Sequence, residues 1–260
     1  MLVDSHCHLD RLDLTKFSGS LDAALEAARV RGVKHFLCVG ISVANAPVVR
    51  EFTQRYADVD CSVGVHPLDL DRGGEPTLEW LLDELQHKGV VAVGETGLDY
   101  YYQTETAQLQ QESFRLHFEA ARLSGKPVII HTRDAKDDTL AIMREAALPQ
   151  AGVMHCFTED WEMAKAALDL GYYISFSGIV TFRNAQALRD VALQVPSDRL
   201  LVETDSPYLA PMPHRGKSNF PEYVADVAEF LAQLRGVSYE QLAEQTTTNF
   251  KRLFPLARVS

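Results

Sequence analysis

His6 and His8 lie two residues apart at the end of the first apolar run of the chain. In a β-strand, side chains at positions i and i+2 point to the same face. Two imidazoles on one face are able to bind one metal ion through their ring nitrogens. Nine histidines among 260 residues give on the order of 0.3 such pairs by chance, so the interpretation depends on what surrounds the pair.

Side chains that bind metals also follow later apolar runs. If these runs are parallel strands, their carboxyl ends meet at one edge of the sheet and the side chains that follow them converge there. Such convergence favours a shared metal site over a set of separately buried histidines. The residues at these later positions are His66, Glu95, His131, His155 and Asp205. The remaining histidines are expected at helix or loop positions: His35, His87, His117 and His214.

The residues at the strand ends form a mixed set of nitrogen and oxygen ligands. The set is too large for one ion, because a divalent ion takes about four to six ligands including water. Two divalent ions roughly 3.5–4 Å apart, bridged by a carboxylate and a hydroxide, would use all of them. We expect Glu95 to be the bridge, and Asp205 to hold one ion and to orient or deprotonate the attacking water. The alternative for either carboxylate is a salt bridge at the barrel rim. The predicted ligands are His6, His8, Glu95, His131, His155 and Asp205.

The elements that must position these residues repeat along the chain as a short apolar run, a polar loop and an amphipathic helical pattern. Spacings of roughly 25–35 residues between the runs are typical of βαβ units. Eight such units favour a closed (β/α)8 TIM barrel over an open doubly wound sheet, which usually has a Gly-rich phosphate loop after its first strand. The predicted strands are residues 2–6, 35–39, 61–65, 90–94, 128–130, 152–154, 172–176 and 200–202. The predicted helices are residues 21–31, 77–88, 107–124, 138–147, 161–170, 184–193, 222–234 and 239–253.

The composition is that of an ordinary soluble protein, with 46% apolar and 23% charged residues, and we expect a single domain over residues 1–260. No run is long enough to span a membrane and the N-terminus does not resemble a signal peptide, so a cytoplasmic location is expected. The net charge of −11 is opposite to the basic stripe of proteins that coat duplex DNA. The cysteines lie in or beside apolar runs and are expected to be buried, reduced thiols: Cys7, Cys38, Cys61 and Cys156.

Three residues near the strand ends are candidates for contact with a substrate. His66 is able to donate a hydrogen bond to a phosphate oxygen, the alternative being a buried structural histidine. Arg133 shares a strand face with His131 and is able to reach a phosphate, the alternative being an ion pair with a neighbouring aspartate. Arg215 belongs to the most cationic short segment, residues 214–219, which either steers a polyanion or is an ordinary solvated loop.

Three consecutive tyrosines follow Glu95 in the sequence: Tyr100, Tyr101 and Tyr102. Aromatic rings at this position are able to stack on unpaired bases. Packing against the rim of the barrel is the alternative, and we expect it for two of the three rings.

Segments along the whole chain resemble the signature segments of the TatD family, metal-dependent DNases of the amidohydrolase superfamily. The three signature segments correspond to residues 3–10, 127–135 and 201–207, and the family pattern is also matched at residues 94–99 and 152–157. The resemblance implies a (β/α)8 barrel with a two-metal phosphodiesterase site. By the matching positions, one metal would take His6, His8, Glu95 and Asp205, and the second would take Glu95, His131 and His155. Other members of the superfamily often bridge their metals with a carbamylated lysine, whereas TatD-like members have a glutamate.

The resemblance also implies a function, a 3′→5′ exonuclease that acts on single-stranded DNA ends. A small acidic protein with few cationic loops suits the processing of ends better than the encircling of a duplex. The cofactors would be two divalent ions, Mg²⁺, Mn²⁺ or Zn²⁺, and neither a membrane nor an obligate protein partner is indicated. Two alternatives remain open: an ester or amide hydrolase, such as a D-aminoacyl-tRNA deacylase, and a non-catalytic metal-binding protein.

Overall fold

Parallel strands form a sheet in which neighbours along the chain are neighbours in space. The computed structural model describes residues 1–71 and 74–259, and within them the sheet has eight strands. The strands are β1 Leu2–Cys7, β2 Val33–Val39, β3 Val59–Val63, β4 Val90–Asp99, β5 Val128–Arg133, β6 Gly152–Met154, β7 Tyr173–Phe176 and β8 Leu200–Val202.

The sheet nearly closes on itself between β8 and β1. Cys7 forms an isolated parallel bridge with Ser206, and the Ser5 hydroxyl donates a hydrogen bond to the carbonyl of Val202 over 2.9 Å. The predicted (β/α)8 barrel is therefore confirmed.

A helix connects each strand to the next, as parallel pairing requires. The connection between β2 and β3 is not among the predicted helices, because its buried face is only Ala46, Val49 and Thr53 and the apolar pattern is weak. No helix in the described residues has the length and apolarity needed to cross a membrane. The helices are α1 Leu21–Val30, α2 Ala46–Arg55, α3 Leu78–Glu84, α4 Ala107–Ser124, α5 Lys136–Ala146, α6 Trp161–Asp169, α7 Gln186–Gln194, α8 Val224–Arg235 and α9 Tyr239–Leu253.

The last helix, α9, covers the end of the barrel where the strands begin. Phe250 and Phe254 pack with inward-facing strand residues such as Val3 and Ile129, and Asn249 donates to the carbonyl of Leu200 over 2.9 Å. With this end covered, the carboxyl ends of the strands remain as the open end. The cysteines are free, and all are buried except Cys156, which is partly exposed.

An ion pair with a fully buried carboxylate fixes the C-terminal segment to the same covered end. Arg258 donates to Asp60 through its side chain over 2.6 Å and through its backbone N–H over 2.7 Å. His35 lies 3.1 Å from the same carboxylate and is fully buried. The expectation of a helix or loop position for His35 is wrong, since it lies within β2.

Strand β1 contains a bulge at the residue that matters most for the site. Asp4 pairs with Phe36 of β2 and Cys7 pairs with Cys38, so β1 has one residue more than its partner in this interval. A bulge bends a strand and changes the direction of its side chains. His6 lies inside this bulge.

Strand β4 has a similar bulge, between Val93 and Thr96, and Glu95 lies inside it. Close approach of the backbone requires glycine here, because a Cβ on Gly64 would lie 2.6 Å from the Cα of Gly94. Both β4 and β5 extend beyond their predicted ends. Glu95 therefore lies within β4 and His131 within β5, instead of after these strands.

Candidate metal centre

The carboxyl ends of the strands surround a cleft with a volume of about 680 Å³. Active sites of (β/α)8 barrels form at this end. His6 lies beneath the cleft and is fully buried. Among the described residues, Arg215 does not line the cleft. The other residues predicted as ligands or substrate contacts all line it: His8, His66, Glu95, His131, Arg133, His155 and Asp205.

The first group of donor atoms surrounds the Nε2 atoms of His6 and His8, which lie 3.3 Å apart. Each of these nitrogens lies no further than 3.9 Å from an oxygen of both Glu95 and Asp205. The other ring nitrogen of His8 lies 3.3 Å from the carbonyl of Val39. Because a carbonyl only accepts, this contact assigns the proton of a neutral ring to Nδ1 and leaves a lone pair on Nε2. The group therefore fits a divalent ion.

The second group surrounds the other oxygen of Glu95. His155 Nε2 lies 2.7 Å and His131 Nδ1 lies 3.3 Å from Glu95 Oε1. Each ring is oriented by a carboxylate on its far side: His155 Nδ1 lies 3.2 Å from Glu203, and His131 Nε2 lies 3.0 Å from Asp99. Histidines that bind metals have this arrangement, in which the second nitrogen donates to a carboxylate. The second group therefore also fits a divalent ion.

His66 lies next to the second group but is suited to a different role. Its Nδ1 accepts a hydrogen bond from the backbone N–H of Leu68 over 3.1 Å, so a neutral ring has its proton on Nε2. Burial lowers the pKa of His66 to about 3, which keeps the ring neutral. Nε2 lies 3.5 Å from Glu95 Oε1. His66 therefore presents an N–H donor to the cleft, as the sequence prediction of a phosphate contact requires.

Both carboxylates at the centre are ionised. Burial alone would raise the pKa of Glu95, but the surrounding imidazoles, first His155, hold it well below its usual value. Burial likewise acts to raise the pKa of Asp205, but the neighbouring imidazoles, first His8, make the net change a lowering. Burial lowers the pKa of His6 and keeps this ring neutral. Burial also acts to lower the pKa of the other three ligand imidazoles, but the carboxylates beside them make the net change a rise. Binding of a metal would therefore release protons from these rings.

Asp205 has a left-handed backbone conformation, with φ at 55°. A non-glycine residue in this region is under strain and is held there by its surroundings. Its N–H donates to the carbonyl of His6 over 2.9 Å, and the N–H of His8 donates to the carbonyl of Ser206 over 2.8 Å. The junction between β8 and β1 thus holds the Asp205 carboxylate beside the two imidazoles.

The two arginines predicted to contact substrate have different positions. The guanidinium of Arg133 lies 3.9 Å from the ring centre of Tyr101 and 4.7 Å from that of Tyr102, and the side chain lines the cleft. Arg215 is exposed, and its guanidinium lies 4.4 Å from the ring centre of Phe182. The structure therefore brings Arg133 to the cleft and does not bring Arg215 there.

The tyrosines after Glu95 divide differently from the expectation that two of them pack against the barrel. Only Tyr100 packs: it is partly buried and its hydroxyl donates to Asp138 over 2.7 Å. Tyr101 and Tyr102 remain 57% and 60% exposed.

Several residues of the site were not predicted from the sequence. Glu203 directly follows β8 and Asp99 ends β4, so the position of each at a strand end offered a signal. Arg11 and Tyr208 also line the cleft. Arg11 ends a short 3-10 helix after β1 and Tyr208 lies in the loop after β8, where no strand pattern indicates which way a side chain points.

Comparisons with known proteins agree with this geometry. The model of the family described as "TatD related DNase" matches residues 3–255. The "uncharacterized metal-dependent hydrolase YcfH" of Escherichia coli K12 is 55% identical over 254 residues, covering 97% of this chain and 95% of the relative. The "uncharacterized metal-dependent hydrolase YabD" of Bacillus subtilis is 38% identical over 255 residues, covering 98% and 99%. The crystal structure of YJJV, a TatD homologue of E. coli K12, superposes with a TM-score of 0.91 at 30% identity and 98% coverage of both chains. The chain belongs to the TatD-related DNase family.

Proposed function

We propose that this chain, a metal-dependent hydrolase of the TatD family, hydrolyses phosphodiester bonds of DNA and removes nucleotides from single-stranded 3′ ends. The position of Glu95 carries the proposal, because one of its oxygens faces His6 and the other faces His155. A carboxylate shared between two ligand groups suits a two-ion phosphodiesterase site. The family's description supports DNA as the substrate, and the direction of degradation follows the resemblance of the sequence motifs.

The residues divide into two ion sites that share Glu95. His6, His8 and Asp205 with Glu95 Oε2 would hold one divalent ion. His131 and His155 with Glu95 Oε1 would hold the second. When bound, such ions polarise phosphate oxygens and lower the pKa of water. Imidazole and carboxylate ligands together accept Mn²⁺ or Zn²⁺, and carboxylates also accept Mg²⁺.

The protein's own side chains would position the substrate and move the proton. Asp205 is ionised and lines the cleft, so it is placed to accept a proton from the attacking water. The Nε2–H of His66 would donate to a phosphate oxygen, and the guanidinium of Arg133 would balance phosphate charge. Glu203 and Asp99 would keep the imidazoles of the second group in a fixed orientation.

A single-stranded oligonucleotide labelled at its 5′ end tests the proposal. After removal of metals with EDTA, the protein is expected to shorten this DNA stepwise from its 3′ end only when Mg²⁺, Mn²⁺ or Zn²⁺ is returned. Asp205→Asn is expected to lower the rate of shortening at least roughly 100-fold, which is the lower end of the contribution of a general base. Asp198→Asn is the matched control, because this carboxylate is exposed and precedes β8.

Two results would contradict the proposal. The first is absence of metal-dependent shortening together with turnover of an ester such as a D-aminoacyl-tRNA. The second is Asp205→Asn with the same rate as Asp198→Asn, which would remove Asp205 from the reaction.

A further inference from the structure

We propose that two tyrosine–arginine pairs on opposite sides of the cleft bind the bases of a single DNA strand on either side of the bond to be cleaved. One pair consists of Tyr102 with Arg133, and the other of Tyr208 with Arg11. The proposal rests on the proposed function, since it names the features of DNA that the same cleft recognises.

The first pair lies where β4 and β5 end. Tyr101 and Tyr102 pack edge to face with their ring centres 4.7 Å apart, and the guanidinium of Arg133 lies against both rings. Tyr102 and Arg133 line the cleft. Such contacts hold an arginine in place while its N–H groups remain able to donate to a phosphate.

The second pair lies where β8 and β1 end. Burial would lower the pKa of Arg11, but the neighbouring Tyr208 hydroxyl makes the net change a rise, and Arg11 also lies 3.7 Å from Asp10. The Tyr208 ring lies edge-on to His8 with ring centres 6.0 Å apart. Both side chains line the cleft. This tyrosine is therefore held directly beside the first group of predicted ligands.

The strand order places the two pairs opposite each other. In an eight-stranded sheet that runs in chain order and nearly closes, the junction of β4 and β5 lies across the barrel from the junction of β8 and β1. Glu95 and Asp205 lie between them. A strand that enters from one side and leaves from the other would pass over the predicted ions.

Exposure of the aromatic rings is the second observation. In the described part of the chain, three aromatic side chains are exposed: Tyr101, Tyr102 and Tyr208, at 57%, 60% and 47%. Two of the three belong to these pairs, and the third, Tyr101, packs against Tyr102 and Arg133. Likewise, Arg11 and Arg133 are the two Lys or Arg side chains that line the cleft among the described residues, and each lies on the same side of the cleft as one of the lining tyrosines.

A nucleobase of single-stranded DNA is the ligand that fits both observations. The chain has a net charge of −11, so general attraction cannot hold a polyanion and local contacts must do so. Stacking on tyrosine does not depend on charge and is open to any base. The bases of a duplex are already stacked on each other, so the pairs favour an unpaired strand.

Abasic substrates test the two pairs separately. Three oligonucleotides are compared: one intact, one with an abasic 3′-terminal nucleotide and one with an abasic penultimate nucleotide. For the wild-type protein, removal of a stacked base is expected to lower kcat/KM by roughly 5- to 100-fold, which corresponds to about 1–3 kcal/mol. Tyr102→Ala is expected to abolish the effect of one abasic position, and Tyr208→Ala that of the other.

Conservative variants and an exposed control complete the experiment. Tyr102→Phe and Tyr208→Phe keep the ring and are expected to keep the ratio of rates between intact and abasic DNA. Leu193→Ala serves as the control, because Leu193 is exposed on α7 and is not among the residues that line the cleft. Damage to the fold would lower both rates and leave the ratio unchanged, so the ratio separates recognition of a base from a structural effect.

The outcomes distinguish this proposal from the proposed function. A wild-type protein that degrades DNA with no preference for bases at either position, or alanine variants with the ratio of Leu193→Ala, would overturn the two-pair proposal alone. A wild-type protein that degrades none of the oligonucleotides with any of the three metals would overturn the proposed function and this proposal with it.

Discussion

His117 of helix α4 links that helix to the segment that carries His66, and its burial predicts a measurable dependence of stability on pH. Its Nε2 accepts from the N–H of Val65 over 3.0 Å, and its Nδ1 donates to the carbonyl of Ser113 over 2.7 Å. Burial lowers the pKa of His117 from 6.5 to about 4. The unfolded chain therefore takes up a proton near pH 6.5, whereas the folded protein does so only near pH 4, and acidification between these values favours unfolding.

The size of the effect follows from the gap of about 2.5 pH units between the two pKa values. At about 1.4 kcal/mol per unit, His117 accounts for a loss of about 3 kcal/mol in the free energy of unfolding between pH 7 and pH 4. The stabilisation is complete above pH 6.5 and declines as the pH falls. His117→Gln keeps an acceptor for the Val65 N–H and has no titrating group. It is expected to be less stable than wild type at pH 7 by roughly 1 kcal/mol, from the lost hydrogen bond to Ser113.

Urea unfolding in EDTA at several pH values between 7 and 4 measures this difference. The variant is expected to lose about 3 kcal/mol less than wild type over this interval, so the two stability curves approach each other and cross. His87→Gln, at an exposed position, controls for the loss of a histidine as such. Equal slopes for His117→Gln and wild type would refute the reasoning.

Two further predictions concern buried carboxylates. Glu203→Gln keeps an acceptor for the Cys156 N–H, which lies 2.9 Å from the carboxylate, but lacks the charge that orients His155. The metal concentration needed for half-maximal activity is therefore expected to rise roughly 10- to 100-fold. An unchanged metal titration would contradict the role of Glu203. Arg258→Ala leaves the fully buried Asp60 without its arginine partner. The free energy of unfolding in urea is expected to fall by about 3 kcal/mol. A loss no larger than that caused by removing an exposed ion pair, such as Lys165 with Asp169, would contradict this role of Arg258.

The convergence of the predicted ligands could be anticipated from the sequence because it depends on topology alone. Once apolar runs alternate with helices, residues that end successive strands must meet at one end of the barrel. His131 and His155 follow this logic, as does Asp205. The exact position of a strand end had little influence on this prediction. Strands β4 and β5 extend past Glu95 and His131, yet both side chains still lie at the carboxyl end of the barrel.

Features that depend on pairing between strands could not be anticipated. The bulges that contain His6 and Glu95 exist because one strand has one residue more than its neighbour, and a single strand's sequence does not reveal its partner's register. The same holds for Arg215: it is ten residues from Asp205 in the chain, yet the loop carries it to Phe182 instead of the cleft. Tyr208, only three residues from Asp205, does line the cleft.

The central claim is that Glu95 joins two ion sites, and equilibrium dialysis of the metal-free protein against Mn²⁺, with metal analysis of the bound fraction, tests it most directly. The account predicts saturation at two ions per chain, with both ions bound more weakly in Glu95→Gln because each group includes one Glu95 oxygen. Saturation of the wild-type protein at one ion, or a Glu95→Gln variant that binds both ions as wild type does, would contradict the account.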